Sequence, residues 1–178
     1  MNPTPKRALV TGGSGDLGGA ICRQLAADGI HVIVHANSNV ERAQTVVDAI
    51  AGAGGSAAAV AFDVADGDAT RAALETLLAN GPIQVVVNNA GIHDDAPMAG
   101  MSDAQWKRVI DVSLHGFFHV TQPLLLPMAR TRWAASSAYR RSRRCSAIAV
   151  RPITRPPSPH CTAHPDHWRA KWRRAASR

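Results

Sequence analysis

Short apolar runs alternate with stretches of helical period along the first three quarters of the chain. The runs predict four β-strands, at residues 7–11, 30–35, 57–62 and 84–87. Apolar positions with helical spacing predict helices at residues 18–28, 40–51 and 67–78, and a long helix that begins after a capping box at Ser102 and Gln105 and runs toward Met128. Strands that alternate with helices predict an α/β fold, a parallel sheet with crossover helices on its faces.

Glycines follow the first predicted strand. Gly13, Gly15 and Gly18 satisfy the pattern G-x-G-x-x-G at the point where this strand passes into a helix. Glycine lets the backbone approach a pyrophosphate closely, and the N–H groups at the start of the helix attract its charge. The motif predicts a dinucleotide site in a Rossmann-type, doubly wound sheet. Taken alone, it also fits a glycine-rich loop with no ligand.

Two further polar sequences follow later strands. Asn88-Asn89-Ala90-Gly91 comes directly after the fourth strand, and Asp63-Val64 comes after the third. The carboxyl ends of parallel strands meet at one edge of a sheet, where open α/β folds bind nucleotides. We expect the two carboxamides to tie neighbouring strands together and line this crevice, and Asp63 with Val64 to meet an adenine ring.

Together, the sequences from Thr11 to Gly18, Asp63-Val64 and Asn88 to Gly91 resemble the cofactor motifs of the short-chain dehydrogenase/reductase family. The likeness covers residues 6–132 and is greatest to the beta-ketoacyl carrier-protein reductases. It implies an NADPH-dependent oxidoreductase that reduces a small-molecule or carrier-protein-bound 3-oxoacyl thioester. The cofactor-binding residues that it implies are Gly12, Ser14, Gly15, Asp16, Leu17, Gly18, Asn37, Ser38, Asp63, Val64, Asn89, Ala90 and Gly91.

Two positions depart from the family pattern. The pattern has glycine where this chain has Asp16, and a carboxylate beside the phosphates weakens binding unless its side chain points to solvent. The family's catalytic Asn aligns with Ser113 in the long helix. Ser113 is therefore the candidate catalytic residue at that position, although serine is shorter than the Asn that anchors the family's water-mediated proton relay.

The turn after the second strand argues for NADPH. NAD-binding proteins generally place an acidic residue there to hold the ribose 2′-hydroxyl, and its charge repels a 2′-phosphate. Here the turn contains Asn37 and Ser38, with Arg42 in the following helix. NADPH is therefore favoured over NADH, and the alternative interpretation is an ordinary polar turn before a helix.

The character of the sequence changes near Trp133. Residues 1–130 contain 8 Lys and Arg against 12 Asp and Glu, whereas residues 131–178 contain 12 against one. The overall net charge of +7 therefore belongs to the tail. We predict a dinucleotide-binding domain at residues 1–132, with the sheet truncated after its fourth strand and the following helix, and an irregular, low-order basic tail at residues 133–178. The family's homo-oligomer interface would then be incomplete.

The tail lacks the family's catalytic segment. Such a reductase needs a Tyr that donates a proton, a Lys four residues later that lowers the pKa of the phenol, and a Ser that polarises the carbonyl. The single tyrosine, Tyr139, is followed four residues later by Arg143, which does not replace lysine. We therefore expect little or no activity from this chain.

A shifted reading frame accounts for the missing segment. Joining the last base of each codon from Trp133 onward to the first two bases of the next can spell Gly-Arg-Ile-Val-Ser-Ile-Ser-Ser and, later, Asn-Tyr-Ala-Ala-Ala-Lys. The Ser, Tyr and Lys codons then arise at the boundaries 140/141, 153/154 and 157/158, with the family's spacings. We hypothesise that the tail is a frameshift product.

Other partners are not expected. The arginines at residues 140, 141, 143 and 144, with Trp168 and Trp172, have no spacing known for nucleic-acid readers, so nucleic acid is a weak alternative. The cluster His160, Cys161, His164 and His167 lacks structural zinc spacing. His115 and His119 have no third ligand, so we predict surface histidines and no metal site.

The remaining expectations concern location and alternative functions. No segment has the length of a membrane span, no signal peptide precedes the first strand, and the three cysteines have no framework spacing, which predicts a cytoplasmic protein without a membrane partner. One alternative function is a dehydrogenase of the same family that acts on another alcohol or ketone. The other is a non-catalytic dinucleotide-sensing module whose basic tail binds nucleic acid.

Overall fold

The computed structural model describes residues 5–94, 96–131, 135–138 and 148–150. Its strands are β1 (Arg7–Val10), β2 (His31–Ala36), β3 (Ala57–Ala61), β4 (Val85–Asn88), β5 (Ala135–Ala138) and β6 (Ile148–Val150). Its helices are α1 (Asp16–Ala27), α2 (Val40–Gly52), α3 (Gly67–Ala79), α4 (Asp103–Ile110) and α5 (Gly116–Arg130). The four predicted strands and the helices between them are confirmed, with small shifts of their ends.

The strands form one sheet in the order β3-β2-β1-β4-β5-β6. Strands β1 to β5 are parallel, and β6 pairs antiparallel with β5. The chain moves outward from β1 in one direction through β3 and then returns to place β4 on its other side. This reversal beside β1 is the switch point of a doubly wound sheet, so the predicted Rossmann-type architecture is confirmed.

The expectation that the sheet ends at its fourth strand needs a correction. β5 pairs with β4 from Val85↔Ala135 to Asn88↔Ala138, so β4 is not the edge. A sheet edge carries unpaired N–H and C=O groups that any extended segment satisfies, whatever its side-chain pattern. Apolar alternation therefore gave no sign of β5. β6 also falls within the predicted tail, and the other tail residues lie outside the described residues.

The core consists of two apolar layers, one on each face of the sheet. The layer under α1 and α2 contains Ala8, Val10, Cys22, Leu25, Val32, Val34, Ala43 and Ile50. The layer under α3 and α5 contains Leu9, Ile33, Phe62, Leu74, Val86, Val120, Leu124 and Met128. Neighbouring residues of β1 and β2 alternate between the two layers, because successive side chains of a strand point to opposite faces. None of the helices in the described residues has the length and apolar character needed to cross a bilayer.

The predicted long helix is two helices joined by a π-turn. The capping box is confirmed, since Ser102 Oγ accepts from the Gln105 N–H at 3.2 Å and Gln105 Oε1 accepts from the Ser102 N–H at 3.0 Å. The helix then widens at Asp111–His115, where the N–H of Gly116 bonds the carbonyl of Asp111. A π-turn holds one more residue than an α-turn, and a single such turn within a helix is too short to show as a separate pattern in the sequence. The sequence pattern therefore predicted one continuous helix.

Candidate functional site

The turn after β1 passes very close to the segment after β4. Gly12 has φ +63°, and a Cβ there would lie 3.1 Å from Cα of Ala90 and from Nδ2 of Asn89. A Cβ on Gly18 would collide with the carbonyl of Gly12 and lie 2.8 Å from Asn89 Nδ2. Glycine is therefore required at both positions by conformation and by space. The two glycines bring the start of α1 directly behind the turn.

Two polar side chains fix the position of this turn by hydrogen bonds. The Oγ1 of Thr11 accepts from the backbone N–H groups of Asn89 at 3.0 Å and Ala90 at 2.9 Å. The Nδ2 of Asn89 donates to the carbonyls of Thr11 at 3.0 Å and Gly12 at 3.2 Å. Asn89 thus ties β4 to the turn, as predicted. Asn88 points the other way, because its Nδ2 donates to Oγ1 of Thr121 on α5 at 2.9 Å in a buried contact.

The N-terminus of α1 lacks the side-chain cap that α2, α3 and α4 have. Asn39, Asp66 and Ser102 each accept a backbone N–H at the start of α2, α3 and α4. Gly15 occupies the same position in α1, and no side chain caps it. The first N–H groups of a helix need partners from outside the helix, and the positive end of its dipole favours anions. The fold thus leaves the start of α1 available to a phosphate.

The predicted residues around this helix start are accessible, except Gly18, which is buried. Ser14 and Gly15 are half-buried, and Leu17 is 42% exposed. Asp16 is also exposed, which is the arrangement that the sequence analysis required of a carboxylate at this position. Gly91, after β4, is exposed, and nothing lies within 4 Å of the place where its Cβ would be.

The turn after β2 is polar and free of acidic side chains. Asn37 and Ser38 are both exposed. Asn39 caps α2 by accepting from the Arg42 N–H at 3.1 Å, and the Arg42 residue is exposed one turn into the helix. No carboxylate in this turn opposes a 2′-phosphate.

The segment after β3 places its two predicted residues differently. Asp63 is exposed, and its Oδ1 accepts from the Ala65 N–H at 2.9 Å. Val64 is 3% exposed, because its side chain packs against Gly116 at the start of α5. Val64 therefore faces the core, and its carbonyl accepts from Nδ1 of His119 at 3.0 Å. The prediction of a surface position for His119 is wrong, since this contact and the packing on Gly67 leave it half-buried.

One residue at this edge was missed by the sequence analysis. His35, at the end of β2, is 1% exposed. The N–H of Gly12 donates to its Nδ1 at 3.0 Å, so the ring proton lies on Nε2, which donates to the Phe62 carbonyl at 2.8 Å. Burial lowers the pKa of His35, while the Phe62 carbonyl and the Asp63 carboxylate act in the opposite direction. The apolar pattern of β2 identifies its strand but carries no signal for this role.

The candidate catalytic position stands apart from this network. Ser113 lies in the π-turn and is exposed, and its side chain forms no hydrogen bond with another described residue. His115 is exposed in the same turn and pairs with Asp111 at 2.9 Å. Tyr139, Arg143, the arginine and tryptophan residues of the tail and the cluster from His160 to His167 lie outside the described residues.

Comparisons with known proteins identify the family of this chain. The family model of the short chain dehydrogenases matches residues 6–135. The chain is 37% identical over 131 residues to a 3-oxoacyl-(acyl-carrier-protein) reductase of Staphylococcus aureus, an alignment that covers 73% of this chain and 53% of that protein. It is 36% identical over 131 residues to an acetoacetyl-CoA reductase of Cupriavidus necator, with 73% and 53% covered.

A solved structure of a similar protein shows that the likeness extends to the fold. The 3-oxoacyl (acyl-carrier-protein) reductase of Agrobacterium tumefaciens C58, with NADP bound, matches with a TM-score of 0.70 and 28% identity over 75% of this chain and 51% of that one. The chain therefore spans about half the length of the relatives it matches. The resemblance inferred from the motifs is confirmed: the chain belongs to the short chain dehydrogenase family.

Proposed function

We propose that this chain binds a nicotinamide dinucleotide, NADPH in preference to NADH, at the turn after β1. The observation that carries the proposal is the uncapped N-terminus of α1 behind a turn that Asn89 and Thr11 hold open. Uncapped N–H groups and the helix dipole together form an anion site. The NADP-bound relative supports the same choice of ligand.

The residues present fit such a ligand. We assign the pyrophosphate to the backbone of Gly15, Asp16, Leu17 and Gly18, since a Cβ at Gly18 has no room and Gly15 leaves the helix start bare. We assign the 2′-phosphate to Asn37 and Ser38, and the adenine to Asp63 and the backbone of Val64. The segment after β4 would lie behind the nicotinamide half of the cofactor, with contacts from Asn89, Ala90 and Gly91. When bound, NADPH supplies a hydride.

We further propose that the function from which this chain derives is reduction of a 3-oxoacyl thioester, because two relatives carry that activity in their names. The chain itself should turn over slowly or not at all, since no Lys follows its single tyrosine at the spacing that the chemistry needs. The test is NADPH oxidation in the presence of a 3-oxoacyl thioester. A turnover of about 1 per second or more, which is ordinary for an enzyme, would contradict this proposal.

The tail is proposed to be read in a shifted frame. The family match ends at residue 135, just after the change in composition at Trp133. Sequencing the coding DNA across the Trp133 codon tests this. We expect bases that spell the Ser, Tyr and Lys codons in the shifted frame, and a strand that lacks any of the three would refute the idea.

Calorimetric titration with NADPH tests binding itself, and two glycine variants sharpen it. A Cβ at Gly15 meets only the Gly12 carbonyl, at an ordinary 3.5 Å, so Gly15→Val should fold while its side chain crowds the helix start. A Cβ at Gly52, at the end of α2, meets nothing within 4 Å, so Gly52→Ala is the matched control.

We expect Gly15→Val to weaken binding at least about tenfold and Gly52→Ala to leave it unchanged. Failure of the folded chain to bind either nucleotide, or equal binding by both variants, would overturn the proposal. A non-catalytic nucleotide sensor is the second candidate, and the missing Tyr–Lys pair favours it. Both candidates predict that NADPH binds without turnover. DNA binding that depends on residues 131–178 is expected of the sensor alone.

A further inference from the structure

The imidazole of His35 lies between the two ends of the proposed nucleotide site. On one side its Nδ1 accepts from the N–H of Gly12 at 3.0 Å, and the backbone carbonyl of His35 accepts from the N–H of Ser14 at 3.3 Å. On the other side its Nε2 donates to the carbonyl of Phe62 at 2.8 Å, and the two rings pack with centroids 4.2 Å apart. One buried side chain thus joins the glycine turn to the end of β3.

We propose that His35 is a positioning residue for nucleotide binding, whose neutral ring holds Gly12 in the conformation that opens the turn to a pyrophosphate. The inference rests on the proposed function. Both polar groups of Gly12 are hydrogen-bonded, its N–H to His35 and its carbonyl to Nδ2 of Asn89 at 3.2 Å and to the N–H of Gly15 at 3.1 Å. The carbonyl thus has two donors, whereas the N–H relies on His35, and leaving this N–H unpaired beneath the sheet edge would be costly.

The second contact of the ring extends this role to the adenine side. Phe62 directly precedes Asp63, and its carbonyl accepts from His35, while the carbonyl of Val64 on the other side accepts from His119. Asp63 therefore stands between two carbonyls that are each held by a histidine. A shift of the His35 ring would move the turn and Asp63 together.

The role requires the uncharged ring. Protonation would place an N–H on Nδ1 opposite the N–H of Gly12, where two donors repel each other. Burial keeps the pKa of His35 below its usual value of 6.5, and Asp63 is the charged group that opposes this shift. The remaining contacts of the ring, from Gly12 and from the carbonyl and ring of Phe62, carry no charge. The turn should therefore hold its shape at neutral pH and lose it only as the pH falls through the lowered pKa of His35, below 6.5.

Three substitutions separate the two contacts. In His35→Asn the amide oxygen takes the place of Nδ1 and keeps the bond to Gly12. In His35→Gln the amide nitrogen takes the place of Nε2 and keeps the bond to Phe62, but Gly12 loses its acceptor. His35→Phe keeps only the ring packing. His31→Asn, at the other end of β2, is the control, since the His31 ring bonds Oγ of Ser56 at 2.7 Å and lies far along the strand from the turn.

We expect the NADPH dissociation constant to rise less than about threefold in His35→Asn and about tenfold or more in His35→Gln and His35→Phe. Melting temperatures of the three variants should fall by similar amounts, so affinity and stability would not run in parallel. As the pH falls through the lowered pKa of His35, the wild type should also lose NADPH affinity more steeply than His35→Asn does. His31→Asn should bind like the wild type.

Equal NADPH affinity in all folded variants, or affinity that follows melting temperature alone, would overturn the inference about His35. Neither result would contradict the proposed nucleotide site. Identical pH profiles for the wild type and His35→Asn would also overturn it. Failure of the wild type to bind NADPH would refute the proposed function instead. If all three variants unfold, hydrogen exchange of the Gly12 amide in the wild type decides: protection that disappears as the pH falls well below 6.5 while the chain stays folded supports the role, and protection that persists down to the pH of acid unfolding refutes it.

Discussion

The edge of the sheet that carries the turns after β1 to β4, here called the nucleotide side, contrasts with the long-helix side formed by α4, the π-turn and α5. On the nucleotide side, the side chains of Thr11, His35 and Asn89 each hydrogen-bond backbone groups of a neighbouring turn. On the long-helix side, Leu114 is 58% exposed, Phe118 60% and Leu126 73%. Large apolar side chains grouped on a surface generally mark a contact site.

The contrast separates what a short stretch of chain can build from what it cannot. The nucleotide side needs four turns that a single parallel sheet brings together, and all four lie within residues 11–91. We propose that the long-helix side needs further partners, a catalytic Tyr–Lys pair for Ser113 to assist and a second subunit to cover the apolar face. Substitutions on the two sides should therefore have unequal effects.

The largest effect is expected from Thr11→Val, which removes a hydroxyl without changing the size of the side chain. The N–H groups of Asn89 and Ala90 would then lack their acceptor. Each buried group left unpaired costs about 1–3 kcal/mol, so the free energy of unfolding should fall by about 2–4 kcal/mol. Urea denaturation measures it. Thr45→Val on the exposed face of α2 is the matched control and should change it by less than about 0.5 kcal/mol. Equal losses would contradict this description of the turn.

The next effect concerns cofactor choice. Asn37→Asp places a carboxylate in the exposed turn after β2, where it would repel a 2′-phosphate and accept from a 2′-hydroxyl. We expect NADPH affinity to fall about tenfold and NADH affinity to hold or rise, as measured by calorimetry at low salt. Asn80→Asp, at the end of α3, is the control with the same change of charge. An unchanged preference would show that the 2′-phosphate lies elsewhere.

A smaller change, a gain in NADPH affinity, is expected from Asp16→Asn. The exposed carboxylate stands in the first turn of α1, close to the proposed phosphates, and its removal should tighten NADPH binding about three- to fivefold at low salt. The same change should lower stability by about 0.3–1 kcal/mol, because an acidic residue favours a helix N-terminus. Asp28→Asn, at the opposite end of α1, should do neither. Weaker binding of NADPH by Asp16→Asn would contradict the assigned site.

The smallest effect on binding is expected from Leu126→Ser on the long-helix side. Leu126 is 73% exposed and lies on α5, away from every residue assigned to the nucleotide. NADPH affinity should change less than about twofold, while sedimentation should show less self-association because the apolar face is reduced. A large loss of affinity would show that the two sides are coupled.

The sequence predicted the turns of the nucleotide side because the signals for a turn are local. Glycines at fixed spacing, a capping residue and a carboxamide after a strand each report their own turn, and the switch point of the sheet brings the turns together. The role of His35 was not predicted because its two partners, Gly12 after β1 and Phe62 after β3, lie far apart in the chain. The contact between His119 and Val64 was not predicted for the same reason, since the two residues are far apart in the chain. The pairing of β5 with β4 was not predicted because it depends on backbone groups alone.

The most direct test of the central claim is a backbone amide spectrum of the full chain recorded with and without NADPH. We expect the amide signals of the turn and the start of α1 to shift on addition of NADPH, namely those of Gly12, Ser14, Gly15, Leu17 and Gly18. The signals of Gly52 and Ala53 at the end of α2 should not move. Amide signals of the turn that remain unmoved at saturating NADPH, in a chain shown to be folded by the same spectrum, would contradict it.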